Sequence, residues 1–410
     1  MRERVAAAGV VLVVGLVAAC SSSGTATVSS APPAPATSAP VSSTTVASAA
    51  PTATSTPALT VTGVDIAATA TAAAFDGDGD LWPNCWAADG EIYTAHGDGK
   101  GFGTEFADIG TDVIHGEPGD LTGDTTAIGD QVGQVWSGDG YTRKPTGIAC
   151  VGDTLYLAVQ DLATDFNDAP AASISTSTDH GRTWTWDRSA PMFSDGRFTT
   201  IFFLDYGRGY AGAPDGFVYA YGLDHNWRDS YSDVVPDPVD LYLARVPKDR
   251  VAERAAWQFY AGGSGSAPRW SQDIGQRKPV LHDARRVVTQ PGGAAPGLSV
   301  LSQGGVVYDA PLRTYLYTSW TEHSFQIYTA PQPWGPWKLL GGKDFGPYPW
   351  NESAYGGYAT TIPSKFISDD GRSMWMQSNV CPCANAGISV YYFSLRKITL
   401  RTTPEGTGGR

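Results

Sequence analysis

Three observations predict that this chain is all-β and built from one repeating sheet unit. From about residue 62 to 400, short runs of aromatic and β-branched residues alternate with Gly, Pro, Asp and Asn. One pattern returns five times: an inner strand, a tight turn, then an apolar-alternating strand that ends in a polar residue. Finally, Ser177-Thr178-Asp179-His180-Gly181-Arg182-Thr183-Trp184 matches the Asp-box pattern S-x-D-x-G-x-T-W, whose Asp and Gly close a turn between outer strands and whose Trp packs between sheets. Copies spaced by about 60 residues in an all-β chain predict a propeller, here a five-bladed β-propeller with four strands to each blade.

The first residues read as a targeting segment and not as part of that fold. Arg2 and Arg4 precede the apolar run from Val5 to Val17, and Val17-Ala18-Ala19-Cys20 is a lipobox. Residues 1–19 are therefore expected to be a lipoprotein signal peptide. Cys20 would be the lipid-bearing first residue of the mature chain, placing the rest at the extracytoplasmic face of the cell membrane. Residues 20–60 are almost entirely Ser, Thr, Ala, Pro, Val and Gly and cannot bury a core; they read as a disordered tether. The propeller is expected over 61–402, with 403–410 a disordered tail.

The first copy runs from Asp80 through Trp86, turns at Ala88-Asp89-Gly90, and returns through Ile92 to Asp98. The second is Lys144 to Cys150, a turn at Gly152-Asp153, then Leu155 to Val159 ending in Gln160-Asp161. A third pairs Phe198–Leu204 with Phe217-Val218-Tyr219 across turns at Tyr206–Gly209 and Pro214-Asp215-Gly216. The fourth pairs Gly305–Tyr308 with Tyr315–Tyr317, ending in Ser319-Trp320. In the fifth, Ile362–Ile367 turns at Asp369-Asp370-Gly371 into Met374-Trp375-Met376 and ends in Ser378-Asn379. One short helix is expected, Lys248 to Trp257, opened by Pro247.

The chemistry-bearing residues gather at the open ends of these hairpins. Asp80 and Asp98 each lie nine residues from Asp89, so an unbulged pairing would set them face to face. Two carboxylates side by side cannot both ionise freely: one pKa rises and the other falls, which suits acid/base work on a glycosidic bond. Lys144, Arg143 and Asp161 of the second copy would share that rim, as would Tyr358 and Asn379 of the fifth, with Glu352 able to approach. Trp82 and Trp86 share the strand parity of Asp80, and one of them is expected to be a stacking platform for sugar.

Other chemistries are disfavoured. A formal charge of −13 argues against nucleic acid. Asp76-Gly77-Asp78-Gly79-Asp80 begins like a calcium loop, but Leu81 stands at the sixth position and Ala87 at the twelfth. Cys381-Pro382-Cys383 is too close for two zinc ligands, no His cluster accompanies it, and no metal or cofactor is expected. Cys85, Cys150, Cys381 and Cys383 are instead disulfide candidates, and a Cys85–Cys150 bridge would join two successive sheets. The Asp-box invites comparison with sialidases, but no set of three arginines with a tyrosine nucleophile can be picked out.

Several segments resemble a family of secreted actinobacterial five-bladed propellers that includes endo-D-arabinanases. They are Asp80…Trp82-Pro83…Trp86-Ala87…Asp89, Tyr93-Thr94-Ala95…Gly97-Asp98-Gly99, and Lys144…Gly147. Further on come Leu243–Asp249, Ala330-Pro331…Pro333-Trp334-Gly335-Pro336-Trp337, and Ile367-Ser368…Asp370-Gly371. The resemblance implies that Asp80 and Asp98 are the central acidic pair and that the substrate is the D-arabinan of the mycobacterial envelope. The sequence departs from the family at Leu81, where Asn is expected, and at His96, where Tyr is expected. The reading that results is a lipid-anchored, monomeric glycoside hydrolase of a cell-envelope polysaccharide. The alternative is a non-catalytic carbohydrate-binding or scaffold lipoprotein.

Overall fold

The computed structural model describes residues 59–230, 234–287 and 297–404. The signal peptide, Cys20 and all but the last two residues of the expected tether lie outside the described residues, as does the tail beyond 404.

Five antiparallel meanders follow one another along the chain. After β1 (Leu59–Ile66) and the two-residue β2 (Ala72–Ala73), the first meander is β3 (Asp78–Trp86), β4 (Ile92–Gly101), β5 (Ala107–His115) and β6 (Thr122–Ile128). The second is β7 (Tyr141–Val151), β8 (Thr154–Ala163) and β9 (Ala172–Ser177), extended by the Thr176–Thr185 bridge. The third is β10 (Thr200–Asp205), β11 (Phe217–Leu223), β12 (Asp240–Pro247) and β13 (Gln258–Ser264). Short strands β14 (Ala267–Ser271) and β15 (Pro279–His282) pair with β13 and β12, and β16 (Arg286–Val287) and β17 (Leu298–Ser299) pair with each other as a separate two-stranded sheet. The fourth is β18 (Gly305–Asp309), β19 (Thr314–Trp320), β20 (Ser324–Ala330) and β21 (Lys338–Asp344). In the fifth, β22 (Tyr358–Thr361), β23 (Ser373–Asn379) and β24 (Ser394–Pro404) are completed by β1, which pairs with β24 from Leu59–Pro404 to Ile66–Ile398. The two ends of the described chain are thus hydrogen-bonded to each other in one sheet.

The first strands β3, β7, β10, β18 and β22 neighbour one another in cyclic order. They enclose an axial space of about 20 Å³, to which Asn84, Gly147, Phe202, Val306 and Thr361 each contribute. Gly147 is required there, because a Cβ would stand 2.6 Å from Phe202 Cα. The ring is tied between the first and last meanders by Asn84 Nδ2, which donates to Thr361 Oγ1 at 2.7 Å. Sheets buried on both faces explain why β11 reads as the near-continuous apolar run Phe217–Leu223.

Between the first two sheets, Trp184 is buried and its indole N–H donates to Gly181 O at 2.9 Å. In the same turn, Thr183 N and Oγ1 donate to Asp179 at 2.9 and 2.7 Å. Those bonds from Thr183 hold the Asp179 carboxyl down at about 2. The Cys85–Cys150 disulfide joins β3 to β7, with Cα atoms 5.6 Å apart, and Cys381 is bonded to Cys383.

Three expectations about the fold change. The stretch Lys248–Trp257 is a chain of tight turns ending in a single 3-10 turn at Arg254–Ala256. Pro247 starts it, but i→i+3 bonds from Arg250, Glu253 and Ala256 leave no helical ladder. The inner strand of the fifth meander is Tyr358–Thr361, not Ile362–Ile367: Pro363 ends the pairing and Ser364–Phe366 form a 3-10 turn. The sheet also reaches two residues beyond each expected edge, to Leu59 and Pro404.

Candidate active site

The second strand of each meander ends where its first strand begins, so the ring has one face at which these ends meet. Asp80 stands near the start of β3, Asp98 near the end of β4, and Lys144 early in β7. Glu322 follows β19 and Tyr358 opens β22.

Asp80 and Asp98 share this face but are not directly opposite. The register pairs Asp80 with Gly97, one residue short of the expected partner, because a bulge falls between Leu81 and Asn84; a second follows between Asp78 and Asp80. Three non-glycine residues adopt left-handed backbone here: Leu81 (φ 70°), Trp82 (φ 47°) and Asp98 (φ 42°). Such clustering is a mark of backbone held for function.

Asp80 is buried, with 9% of its surface exposed. Tyr358 OH donates to its Oδ2 at 2.7 Å, while Oδ1 is buried without a hydrogen-bond partner. Burial pushes the carboxyl up to about 7, against the pull of the Tyr358 hydrogen bond and of Lys144; Asp98 adds to the rise and His96 opposes it. Asp80 therefore exchanges its proton near neutrality.

Asp98 is held differently. Lys144 Nζ donates to its Oδ1 at 2.6 Å, to Asp108 O at 3.2 Å and to Thr142 Oγ1 at 3.2 Å, so all three ammonium donors are used. Lys144 is itself buried, which fixes this charge in place. Tyr391 OH donates to the Asp98 carbonyl at 3.0 Å, and burial, then Asp80 and Asp98, push that phenol upward.

The remaining expected residues divide. Tyr358 joins the acidic pair directly. Asp161 is fully buried and latches a loop, its Oδ2 accepting from Trp136 N at 2.8 Å and Ser137 N at 2.6 Å. It is not open to a sugar. Arg143 is likewise occupied, by Asp108 and Asp130. Glu352 is exposed on the turn closed by the Asn351–Ala354 bridge. Neither tryptophan is a platform. Trp82 has no exposed surface, because the left-handed step at Leu81 and Trp82 breaks the alternation and turns its indole inward, onto Phe102 and Phe393. Trp86 donates to Gly90 O at the turn end of the hairpin, away from Asp80.

A further acid whose charge acts on Tyr358 is Glu322. Gly357 N donates to its carbonyl at 2.8 Å, Tyr348 OH donates to its Oε2 at 2.6 Å, and Arg228 Nη1 lies 3.7 Å from its Oε1. Extending the fourth sequence copy by two residues past Trp320 would have found it, since Asp98, Asp161 and Asn379 stand at or near the ends of second strands. The buried Trp320 ring packs on both Tyr358 and Trp227, with centroids 5.8 and 5.4 Å away. Exposed aromatic surface is offered instead by Phe75, 74% exposed and set 5.5 Å from the Tyr392 ring, and by Phe106, 66% exposed.

A carboxyl raised to about 7 by burial and a second one clamped to a lysine are now in one place. The family model that matches residues 85–363 is described as a domain of unknown function, DUF4185. The chain belongs to the DUF4185 family. The matched span begins five residues after Asp80 and takes in Asp98, Lys144, Glu322 and Tyr358. No curated protein matches this DUF4185 chain. Among solved structures it is similar to an endo-arabinase from Bacteroides thetaiotaomicron, with 11% identity over 82% of this chain and 99% of that one, at a TM-score of 0.43. A GH43_1 enzyme from Xanthomonas citri is 14% identical over 85% of this chain and 94% of its own, also at 0.43. The catalytic domain of a Coprinopsis cinerea GH62 α-L-arabinofuranosidase is 13% identical over 83% and 97%, at 0.39.

Proposed function

We propose that this DUF4185 chain is a five-bladed β-propeller glycoside hydrolase that cleaves a cell-envelope polysaccharide, D-arabinan by preference. The observation that carries the reading is the Asp80 carboxyl: buried, raised to about 7, and with Oδ1 unpartnered at the face where the acidic residues gather. A group in that state is a general acid, able to give its proton to the leaving oxygen of a glycosidic bond. Asp98 is the complementary carboxylate. Lys144 holds it in place, so it faces the positive charge that builds at the anomeric carbon or takes the proton of an attacking water. Tyr358 orients Asp80 by donating to the oxygen that does not carry the transferable proton. Glu322, beside Tyr358, supplies a further acceptor for sugar hydroxyls.

The preference for D-arabinan rests on the sequence resemblance, which includes both aspartates and the Lys144…Gly147 segment. The lipobox adds the location: a monomer anchored through Cys20 at the extracytoplasmic face of the membrane, acting on polymer within reach of its tether.

The test is incubation of the full chain with mycobacterial arabinogalactan, scored by released oligosaccharides, beside Asp80→Asn and Asp98→Asn. Release by the wild type and by neither variant is expected, with activity falling as the pH rises past about 7. Release by all three would move the site elsewhere. Retention on immobilised glycan without release would replace the hydrolase with a carbohydrate-binding protein.

A further inference from the structure

His96 and Asp112 are ionisable, fully buried and unused by the chemistry above. Neither has exposed surface, and His96 Nδ1 lies 2.6 Å from Asp112 Oδ2. Asp112 Oδ1 accepts in turn from Thr125 Oγ1 at 2.7 Å. The pair sits directly behind the acidic site: in the β3–β4 register Leu81 faces His96 while Asp80 faces Gly97.

The space it occupies is kept clear by glycines. A Cβ on Gly110 would stand 2.2 Å from His96 Cε1, and one on Gly101, whose φ is +58°, would stand 2.3 Å from Asp112 Oδ1. Burying an imidazole and a carboxylate is costly unless the two are paired, and an apolar filling would do the packing at least as well. Buried ionisable pairs of this kind gather at functional sites.

We propose that His96, held by Asp112, is a positioning residue that carries a buried positive charge behind Asp80 and so sets the pH at which Asp80 releases its proton. The groups facing each partner are these. His96 is faced by Asp112 of β5 and by Asp78 and Asp80 of β3. Asp80 is faced by Tyr358 of β22, Lys144 of β7, Asp98 and His96 of β4, and Tyr391 of the segment before β24. Burial alone disfavours the charged ring, but Asp112, then Asp80 and Asp78, outweigh it, and the net shift of His96 is upward. His96 in return holds Asp80 below where burial would put it. Coupling of this kind is reciprocal: each group must move the titration of the other.

The inference rests on Asp80 being the general acid, so the experiment has one arm that needs no activity. The full chain is labelled at histidine 13Cε1, and His96 is assigned as the resonance lost in His96→Gln. In the wild type it should titrate above the ordinary 6.5, and it should titrate lower in both Asp112→Asn and Asp80→Asn. A His96 that titrates below 6.5, or is unmoved by Asp80→Asn, would overturn the proposal. In the second arm, His96→Gln should carry the alkaline limb of the pH profile for arabinogalactan hydrolysis upward by about one pH unit. A purely structural role would lower activity equally at every pH and leave the limb where it was. If His96→Gln does not fold, His96 is assigned as the histidine resonance whose titration moves in Asp112→Asn, and the Asp80→Asn titration still decides. Should the wild type hydrolyse nothing, the hydrolase reading fails while the first arm continues to test the coupling.

Discussion

Replacing Asp80 by Asn should stabilise this protein in a strongly pH-dependent way while abolishing its activity. In the unfolded chain the carboxyl titrates at the ordinary 3.8; in the fold it titrates at about 7. At pH below 3.8 both states hold the proton and Asp80 contributes nothing. Between the two values the folded state keeps a proton that the unfolded state has lost, so stability falls with each rise in pH. Above 7 both states are ionised and the penalty is complete. Each pKa unit corresponds to about 1.4 kcal/mol, so the full penalty is about 4 kcal/mol. Asn cannot ionise and escapes it.

The substitution keeps the one hydrogen bond that matters, since the amide oxygen can accept from Tyr358 as Oδ2 does. Its NH2 would take the place of the unpartnered Oδ1 at a cost of about 1–3 kcal/mol. That cost does not depend on pH and moves only the baseline. Urea unfolding of both proteins from pH 4 to 9 measures the difference. Asp80→Asn should gain on the wild type by about 4 kcal/mol between pH 4 and pH 7.5, then run parallel to it. A difference that is flat from pH 4 to 8 would refute the reasoning, because it would mean that the Asp80 carboxyl ionises in the fold as freely as in water.

Lys144→Met should lower hydrolysis at least ~100-fold, about 3 kcal/mol, since Asp98 loses its clamp; it should also carry the alkaline limb upward, because Lys144 opposes the rise of Asp80. Tyr358→Phe should cut kcat by ~10-fold or more and move that limb in the same direction, with KM little changed. The two kinds of aromatic residue separate cleanly. Trp82→Ala should cost about 3–5 kcal/mol in urea unfolding, as expected of a buried core indole. Phe75→Ala, at a 74% exposed ring, should leave unfolding within about 0.5 kcal/mol and raise KM for glycan severalfold.

The hairpins were legible because their turns announce themselves. Gly90 at φ 100° closes the first, and Gly152-Asp153 form a two-residue loop between Val151 and Thr154. Tyr358 and Lys144 were placed beside the aspartates by the same logic. What stayed hidden depends on backbone that propensity does not describe. No rule of side-chain parity anticipates left-handed Leu81 and Trp82, so Trp82 was read outward when it points in, and the Asp80 register was read one residue off. The apolar stretch Ile362–Ile367 has strand composition, yet Pro363 turns it. His96 and Asp112 lie 16 residues apart and meet only through the β4–β5 register, in which Asp112 is two residues past the partner of His96 and on the same face.

That register also bears on whether the chain is a catalyst or a scaffold. A structural propeller gains nothing from a buried carboxyl that has to stay protonated, or from a histidine–aspartate pair sealed beneath it. Apolar side chains in those places would be neutral or stabilising by about 1–4 kcal/mol. Here the first meander gives up packing atoms to accommodate them: a Cβ on Gly97 would stand 2.7 Å from Asp80 Oδ1, and Gly101 and Gly110 make way for Asp112 and His96. Three glycines, three left-handed residues and four ionisable groups (Asp80, His96, Asp98 and Asp112) therefore make one local arrangement, each part of which is a liability to the fold alone. The arrangement is best explained by chemistry at Asp80, and all of it lies in β3, β4 and β5 of the first meander.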